Sequence, residues 1–178
     1  VIGGGVVGAS VAFHLVHRGA KDVLILEREA EQGLGSTGAA TGGVRAQFET
    51  DINIMMSVYS IDFFRNWEFD CGYEPRGYLF FATAPEQLDY LKKNVEKQKR
   101  VGVESVEVIG RGDVARLVPG MVCDDIVGGA FGGNDGFIDP IAVMRGFTRD
   151  AIAKGATIEF GARVESIETA NGRVIAVR

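Results

Sequence analysis

The stretch that most constrains this chain is Val1-Ile2-Gly3-Gly4-Gly5-Val6-Val7-Gly8-Ala9-Ser10. It holds Gly3-x-Gly5-x-x-Gly8, the spacing of a dinucleotide-binding turn. Gly3 lets the backbone leave a strand and turn sharply. Gly5 has no Cβ to hold a pyrophosphate away, and Gly8 lets the following helix pack close to the sheet. Val6 and Val7 then stand at a helix N-terminus, where free N–H groups and the positive dipole end favour phosphate.

Glycine-rich turns are common, so the context decides. Ala9 to Arg18 is expected to be a helix, with Val7, Val11, Leu15 and Val16 near one stripe, and Gly19 just beyond its end. Val23-Leu24-Ile25-Leu26 is a continuous apolar run of the kind that buried parallel strands show. Glu27 closes that run about 20 residues beyond the glycines, where a carboxylate accepts from ribose hydroxyls. Glu27 and the adjacent Arg28 are therefore candidate cofactor contacts, and a carboxylate here disfavours a 2′-phosphate. A βαβ unit that holds no phosphate is the plainer alternative.

A second small-residue segment follows, Gly33-Leu34-Gly35-Ser36-Thr37-Gly38-Ala39-Ala40-Thr41-Gly42-Gly43-Val44-Arg45. Small residues let main chain lie against a large flat group, and the hydroxyls of Ser36 and Thr37 can bond phosphate or ribitol oxygens. A flexible linker would have the same composition, but Leu34, Val44 and Phe48 do not suit one.

The glycine motif, Glu27 and the segment Gly35-Ser36-Thr37 through Gly42-Gly43-Val44-Arg45 together resemble the FAD-dependent D-amino-acid oxidase superfamily. The resemblance is to its sarcosine oxidase β-subunit, glycine oxidase and dimethylglycine dehydrogenase branch. It implies an α/β fold: a Rossmann-type FAD-binding domain with a parallel sheet, plus part of an inserted α+β substrate domain. Residues 1–49 and 135–178 are expected to form the FAD-binding domain, and residues 50–134 a helical bridge and partial substrate domain.

The cofactor contacts implied are Gly3, Gly5, Val6, Val7, Gly8, Glu27, Arg28, Ser36, Thr37, Gly42, Gly43 and Val164, the last through its backbone. Some relatives carry Gly-Ser-Thr-Trp-His here, with the His bonded to the flavin. This chain has Ala39 at that position, which implies non-covalent FAD. The implied reaction is oxidation of a secondary amine or amino acid, such as sarcosine, glycine or a related N-methyl amino acid, by hydride transfer to flavin. The alternatives are a flavin-dependent 2-hydroxy-acid or glycerol-phosphate dehydrogenase, and a non-catalytic FAD-holding subunit of a hetero-oligomer.

Arg45 is the ionic group placed for substrate or flavin. A guanidinium pairs with a carboxylate through two parallel bonds, and a surface arginine is the competing reading. His14 and His17 sit at the far end of the first helix and suit a helix C-terminus better than catalysis.

Composition narrows the partners. The 178 residues carry a formal net charge of −5, which argues against nucleic acid. No apolar run approaches the ~20 residues of a bilayer span. Two cysteines and two histidines, far from any ligand spacing, give no metal site, and a cytoplasmic setting is the default. Val1-Ile2 reads as the end of a strand, and Arg173 to Arg178 as a strand still running, so a longer chain is expected.

The remaining elements follow from periodicity. A helix is expected from Thr50 to about Asp70, with Ile52, Met55, Met56, Tyr59, Phe63 and Trp67 on its buried stripe. A strand should span 73–82; the resemblance implies that an aromatic on it such as Tyr78 faces the substrate, and an ordinary strand aromatic is the plainer alternative. Thr83-x-x-Glu86 reads as a capping box for a helix carrying Leu88, Leu91 and Val95, with a basic run, Lys92 to Arg100, on its solvated face. Short strands are expected at 105–109 and 126–131, with a brief helix between them. Asp139-Pro140 should start a helix through Lys154 with Met144, Phe147 and Ala151 inward. A strand at 157–160 and an Asn171-Gly172 hairpin spanning 164–177 complete the chain.

Overall fold

The computed structural model describes residues 1–178 and divides into two compact units. The first takes residues 1–42, 69–71 and 139–178, and the second residues 43–68 and 72–138. Residues 43–49 and 135–138, grouped above with the glycine motif, pack in the second unit. Two pairings hold them there: Gly43–Val44 with Gly136–Phe137, and the Ala46 amide with Asp135.

In the first unit, helix α1 (Val6–His17) follows the glycine turn directly. Strand β1 (Leu24–Leu26) lies between Ile2 on one side and β7 (Thr157–Glu159) on the other, both parallel to it. This is the parallel arrangement expected of a βαβ unit. Helix α5 (Pro140–Ala153) packs along α1, with the rings of Phe13 and Phe147 5.1 Å apart. The inward face of α1 is Ala9, Ala12, Phe13 and Val16. The stripe expected from Val7, Val11 and Leu15 is exposed, because small residues are what allow two helices and a strand to close up. On α5 the expected stripe holds: Met144, Phe147 and Ala151 are buried. Asp139 caps α5, accepting from the Ile141 and Ala142 amides at 2.8 and 3.1 Å.

The hairpin β8 (Ile167–Ala170) and β9 (Arg173–Val177) turns at Asn171 and Gly172, with φ of 52° and 74°, the left-handed pair such a turn requires. Its first strand starts at Ile167, so Val164 lies in the irregular segment before it rather than in a strand.

The second unit is built on an antiparallel sheet in the order β3 (Tyr78–Ala82), β5 (Gly128–Gly132), β4 (Val106–Ile109). β2 (Gly43–Val44) pairs with β6 (Gly136–Phe137) in a separate two-stranded ladder. β3 starts at Tyr78 rather than Tyr73 because Gly77 interrupts it. Gly77 has φ +83°, and a Cβ there would stand 2.1 Å from Phe131 Cζ. Helices α2 (Asp51–Asn66) and α3 (Pro85–Val101) cover one side, and α4 (Arg111–Leu117) packs on β5.

α2 ends at Asn66, with Trp67 already extended, short of the expected Asp70. Its buried stripe is Ile54 and Ile61 with Val58 against them. The stripe expected from Ile52, Met55, Met56 and Tyr59 is 57–62% exposed. α2 carries two apolar faces, and periodicity alone does not say which one meets the core. The expected capping box also changes partners. Ala84 is the N-cap of α3, and the Thr83 amide bonds Gln87 Oε1 at 2.8 Å, not Glu86.

Candidate functional site

The glycine turn is closed by contacts that leave no room for other residues. A Cβ on Gly8 would lie 1.9 Å from the Gly3 carbonyl oxygen, so only glycine lets α1 start this close to the preceding strand. Gly3 has φ +90° and its amide bonds the Leu26 carbonyl at 2.8 Å. The turn is thereby tied to the end of β1.

Glu27 stands at that end. Its Oε2 accepts the Gly4 amide at 2.7 Å and its Oε1 the Glu29 amide at 3.0 Å. Each oxygen keeps accepting capacity after these bonds. The amide bonds, that from Glu29 foremost, hold the Glu27 carboxyl below the usual carboxylate range against the opposing effect of burial. Glu27 is a preformed anionic acceptor beside the turn. Arg28 is exposed and pairs with Glu29 at 2.9 Å.

Thr37 is buried, and its Oγ1 accepts the Val6 amide at 3.0 Å. One of the first-turn amides counted toward phosphate is therefore engaged by the second small-residue segment. Val7 is 74% exposed, and the amides beyond Val6 in the first turn have no intrahelical acceptor. Gly38 packs against this segment as Gly8 does against the first: a Cβ there would lie 2.0 Å from the Gly33 carbonyl oxygen.

These groups line one cleft of about 790 Å³, within the ~300–1,000 Å³ range of cofactor sites. Gly3, Gly5, Val6, Val7, Gly8, Glu27, Arg28, Ser36, Thr37 and Val164 all border it. Gly42 and Gly43 do not. Gly42 is buried with φ +78° and Gly43 opens β2 in the second unit. Sequence reading missed Gln32, whose Nε2 bonds the Gly4 carbonyl and, at 2.9 Å, Thr148 Oγ1. A glutamine in a polar stretch carries no signal of that role.

Arg45 belongs to the second unit. Its guanidinium carbon lies 4.9 Å from the Phe48 ring centre, 5.4 Å from Tyr78 and 5.5 Å from Phe80. The aromatic setting fits a planar cation, and Arg45 Nε is buried without a hydrogen-bond partner. The backbone beside it is fixed by Asp135. This fully buried carboxylate accepts the Ala46 amide at 2.8 Å and Gln47 Nε2 at 3.0 Å. Burial raises the Asp135 carboxyl above the usual range, opposed by those two bonds and by the charge of Arg45. Asp135 and Gln47 were not singled out by sequence. The only signal was an acid set in a glycine-rich turn, and Gly132 explains the setting: a Cβ there would lie 2.6 Å from Asp135 Oδ2.

His14 and His17 lie on the last turns of α1 beside Phe13 and away from the cleft lining. No group of acidic, histidine or cysteine side chains could hold a metal. No helix is long and apolar enough to cross a membrane.

A family model described as "DAO: FAD dependent oxidoreductase" matches residues 1–178. FAD-dependent oxidoreductase domain-containing protein 1 of Xenopus laevis is 30% identical over 170 residues, covering 87% of this chain and 34% of that protein. Mitochondrial dimethylglycine dehydrogenase of Rattus norvegicus is 31% identical over 173 residues, covering 94% of this chain and 20% of that protein. The structure of L-proline dehydrogenase from P. horikoshii superposes with a TM-score of 0.90 at 26% identity, covering 99% of this chain and 47% of that one. This chain thus spans between a fifth and a half of the length of these relatives.

Proposed function

The chain belongs to the DAO family of FAD-dependent oxidoreductases, and from that premise we propose that the protein it represents oxidises an amine-bearing carboxylate, a secondary amine or amino acid of the sarcosine or N-methyl amino-acid kind. On this reading the first unit is the FAD-binding part and the second contributes part of a substrate domain. The observation that carries the cofactor assignment is Glu27, held by the Gly4 and Glu29 amides at the border of the cleft.

The residues present fit the cofactor. Glu27 would accept the ribose hydroxyls, and the uncapped first-turn amides of α1 with Ser36 would hold phosphate oxygens. Val164 would meet the adenine through its backbone. Ala39 offers no atom for a covalent link, so the flavin would be held non-covalently. When bound, the flavin supplies the redox chemistry by accepting a hydride from the carbon that bears the amine. Arg45 would hold the substrate carboxylate, and its aromatic neighbours would keep the guanidinium oriented.

The test is anaerobic bleaching of the flavin in the whole protein. N-methyl amino acids should bleach it, and Arg45→Lys should lower kcat/KM for them by at least roughly tenfold, the size of a lost charge-assisted bond. Amines lacking a carboxylate should lose much less. Bleaching by a 2-hydroxy acid instead would move the reading to a hydroxy-acid dehydrogenase. No bleaching by either class would leave a FAD-holding subunit.

The compartment is proposed on composition. Cys71 and Cys123 are not joined by a disulfide, which suits a reducing setting such as the cytoplasm. The dimethylglycine dehydrogenase named above is mitochondrial, and the fractionation of the whole protein decides between the two.

A further inference from the structure

The run Gly3-Gly4-Gly5 has more conformational freedom to lose than any other part of the turn, because glycines place little steric limit on the peptides between them. Side chains from elsewhere hold it still. Glu27 Oε2 accepts the Gly4 amide at 2.7 Å, and Gln32 Nε2 donates to the Gly4 carbonyl. Gly4 is therefore held at both its amide and its carbonyl, by an acid at the end of β1 and by a glutamine six residues before the end of the second small-residue turn at Gly38.

Gln32 is itself held. A side-chain amide nitrogen carries two hydrogens, and the second goes to Thr148 Oγ1 on α5 at 2.9 Å. Thr148 is buried. Gly4, Gln32 and Thr148 do not border the cleft, whereas Gly5 does, so the two side chains act from behind the turn. The Gly4 carbonyl and the Gly5 N–H belong to one planar trans peptide unit and point in opposite directions. A carbonyl fixed toward Gln32 turns the Gly5 N–H away from Gln32. The neighbouring amides are engaged: Gly3 bonds the Leu26 carbonyl, Gly4 bonds Glu27 and Val6 bonds Thr37. The Gly5 amide has no such acceptor within the chain.

We propose that Gln32 is a positioning residue for the cofactor: clamped between the Gly4 carbonyl and Thr148, it aims the Gly5 amide at a diphosphate before the ligand arrives. This rests on the reading of the cleft as the FAD site. The clamp fixes backbone that would otherwise be ordered on binding, and so raises affinity by removing that cost. Its effect falls on the diphosphate and not on adenosine, which carries no phosphate for the Gly5 amide to meet. It also makes α5 a support of the glycine turn, through a threonine far along the chain from it.

The test is calorimetric titration of the whole apoprotein with FAD, ADP and adenosine. Gln32→Leu should weaken FAD and ADP alike by about three- to tenfold, the worth of one neutral hydrogen bond, and leave adenosine unchanged. Thr148→Val should give a smaller loss for the same two ligands, and no further loss when combined with Gln32→Leu. A role confined to holding the fold would weaken all three ligands together, and that result overturns the proposal, as does unchanged ADP affinity in Gln32→Leu. If Gln32→Leu does not fold, Thr148→Val decides by the same comparison of ADP with adenosine. A wild type that binds FAD, with no selective loss of ADP in the variants, sinks this inference alone. A wild type that binds ADP but not FAD, with the selective loss present, sinks the FAD reading alone. Binding of neither sinks both.

Discussion

The Asp135 carboxylate accepts the Ala46 amide at 2.8 Å across 89 residues of sequence, and so fixes the peptide next to Arg45. The same carboxylate takes Gln47 Nε2, which also bonds the Tyr78 carbonyl at 2.9 Å. One buried acid thus ties the segment after the second glycine run to the edge strand whose rings flank Arg45.

Removing that acid should cost stability. Asp135→Ala leaves the Ala46 amide unsatisfied in the interior, worth about 1–3 kcal/mol, and removes one of the two acceptors of Gln47 Nε2, which keeps the Tyr78 carbonyl. Denaturant unfolding of the whole protein measures it. Asp135→Asn, which keeps an acceptor for Ala46, should lose less.

The pH dependence of stability should carry two opposite signatures. The folded Asp135 carboxyl is raised above its ordinary 3.8, chiefly by burial. Its protonated form is the stabilised one: that contribution is full below 3.8 and is lost as pH rises through the folded value. The folded Glu27 carboxyl is lowered from 4.5, chiefly by the Glu29 amide. Its contribution is present above 4.5 and is lost as pH falls through the lower folded value. Urea midpoints against pH for wild type, Asp135→Asn and Glu27→Gln should separate them. Asp135→Asn should remove the loss on the rising side, and Glu27→Gln the loss on the acid side.

The glycine turn admits a sharper test. Gly8→Ala would place a Cβ 1.9 Å from the Gly3 carbonyl oxygen, a contact that backbone must move to relieve. Overpacking of this kind costs typically about 1–3 kcal/mol. A matching fall in FAD affinity should accompany the lower melting temperature, whereas Gly35→Ala, with open space at its Cβ, should leave the melting temperature nearly unchanged.

The first unit was largely legible in the sequence because its signals are local. Gly3, Gly5, Gly8 and the apolar run to Glu27 lie within one βαβ unit, and Asp139-Pro140 marks its helix start without reference to anything distant. The second unit was legible only as elements. Helix α2 has Ile54 and Ile61 on one face and Ile52, Met55, Met56 and Tyr59 on another, and pattern reading chose the longer stripe. The choice between them is made by α3 and β5, which lie far along the chain. Asp135 and Gln98 were silent for the same reason: each acts through a distant partner, Ala46 for Asp135, 89 residues off, and Phe48 for Gln98, 50 residues off.

Thr37 links the two glycine-rich segments. Thr37→Val removes the acceptor of the Val6 amide, at a cost of about 1 kcal/mol, and Thr37→Ser should restore it. Thermal unfolding with and without added FAD reads both effects. A stability loss in Thr37→Val that Thr37→Ser fails to recover would remove the hydroxyl from this role.

A resident, non-covalent FAD in the cleft that Glu27 borders is read directly from the cofactor content of the whole purified protein. The protein should be yellow, and acid precipitation should leave a colourless pellet and release FAD into the supernatant in a near one-to-one ratio. Glu27→Ala should weaken FAD rebinding to the apoprotein by about ten- to hundredfold, the worth of a lost charged hydrogen bond. A colourless protein that binds NAD with micromolar affinity, or a flavin that stays in the acid pellet, would contradict the account.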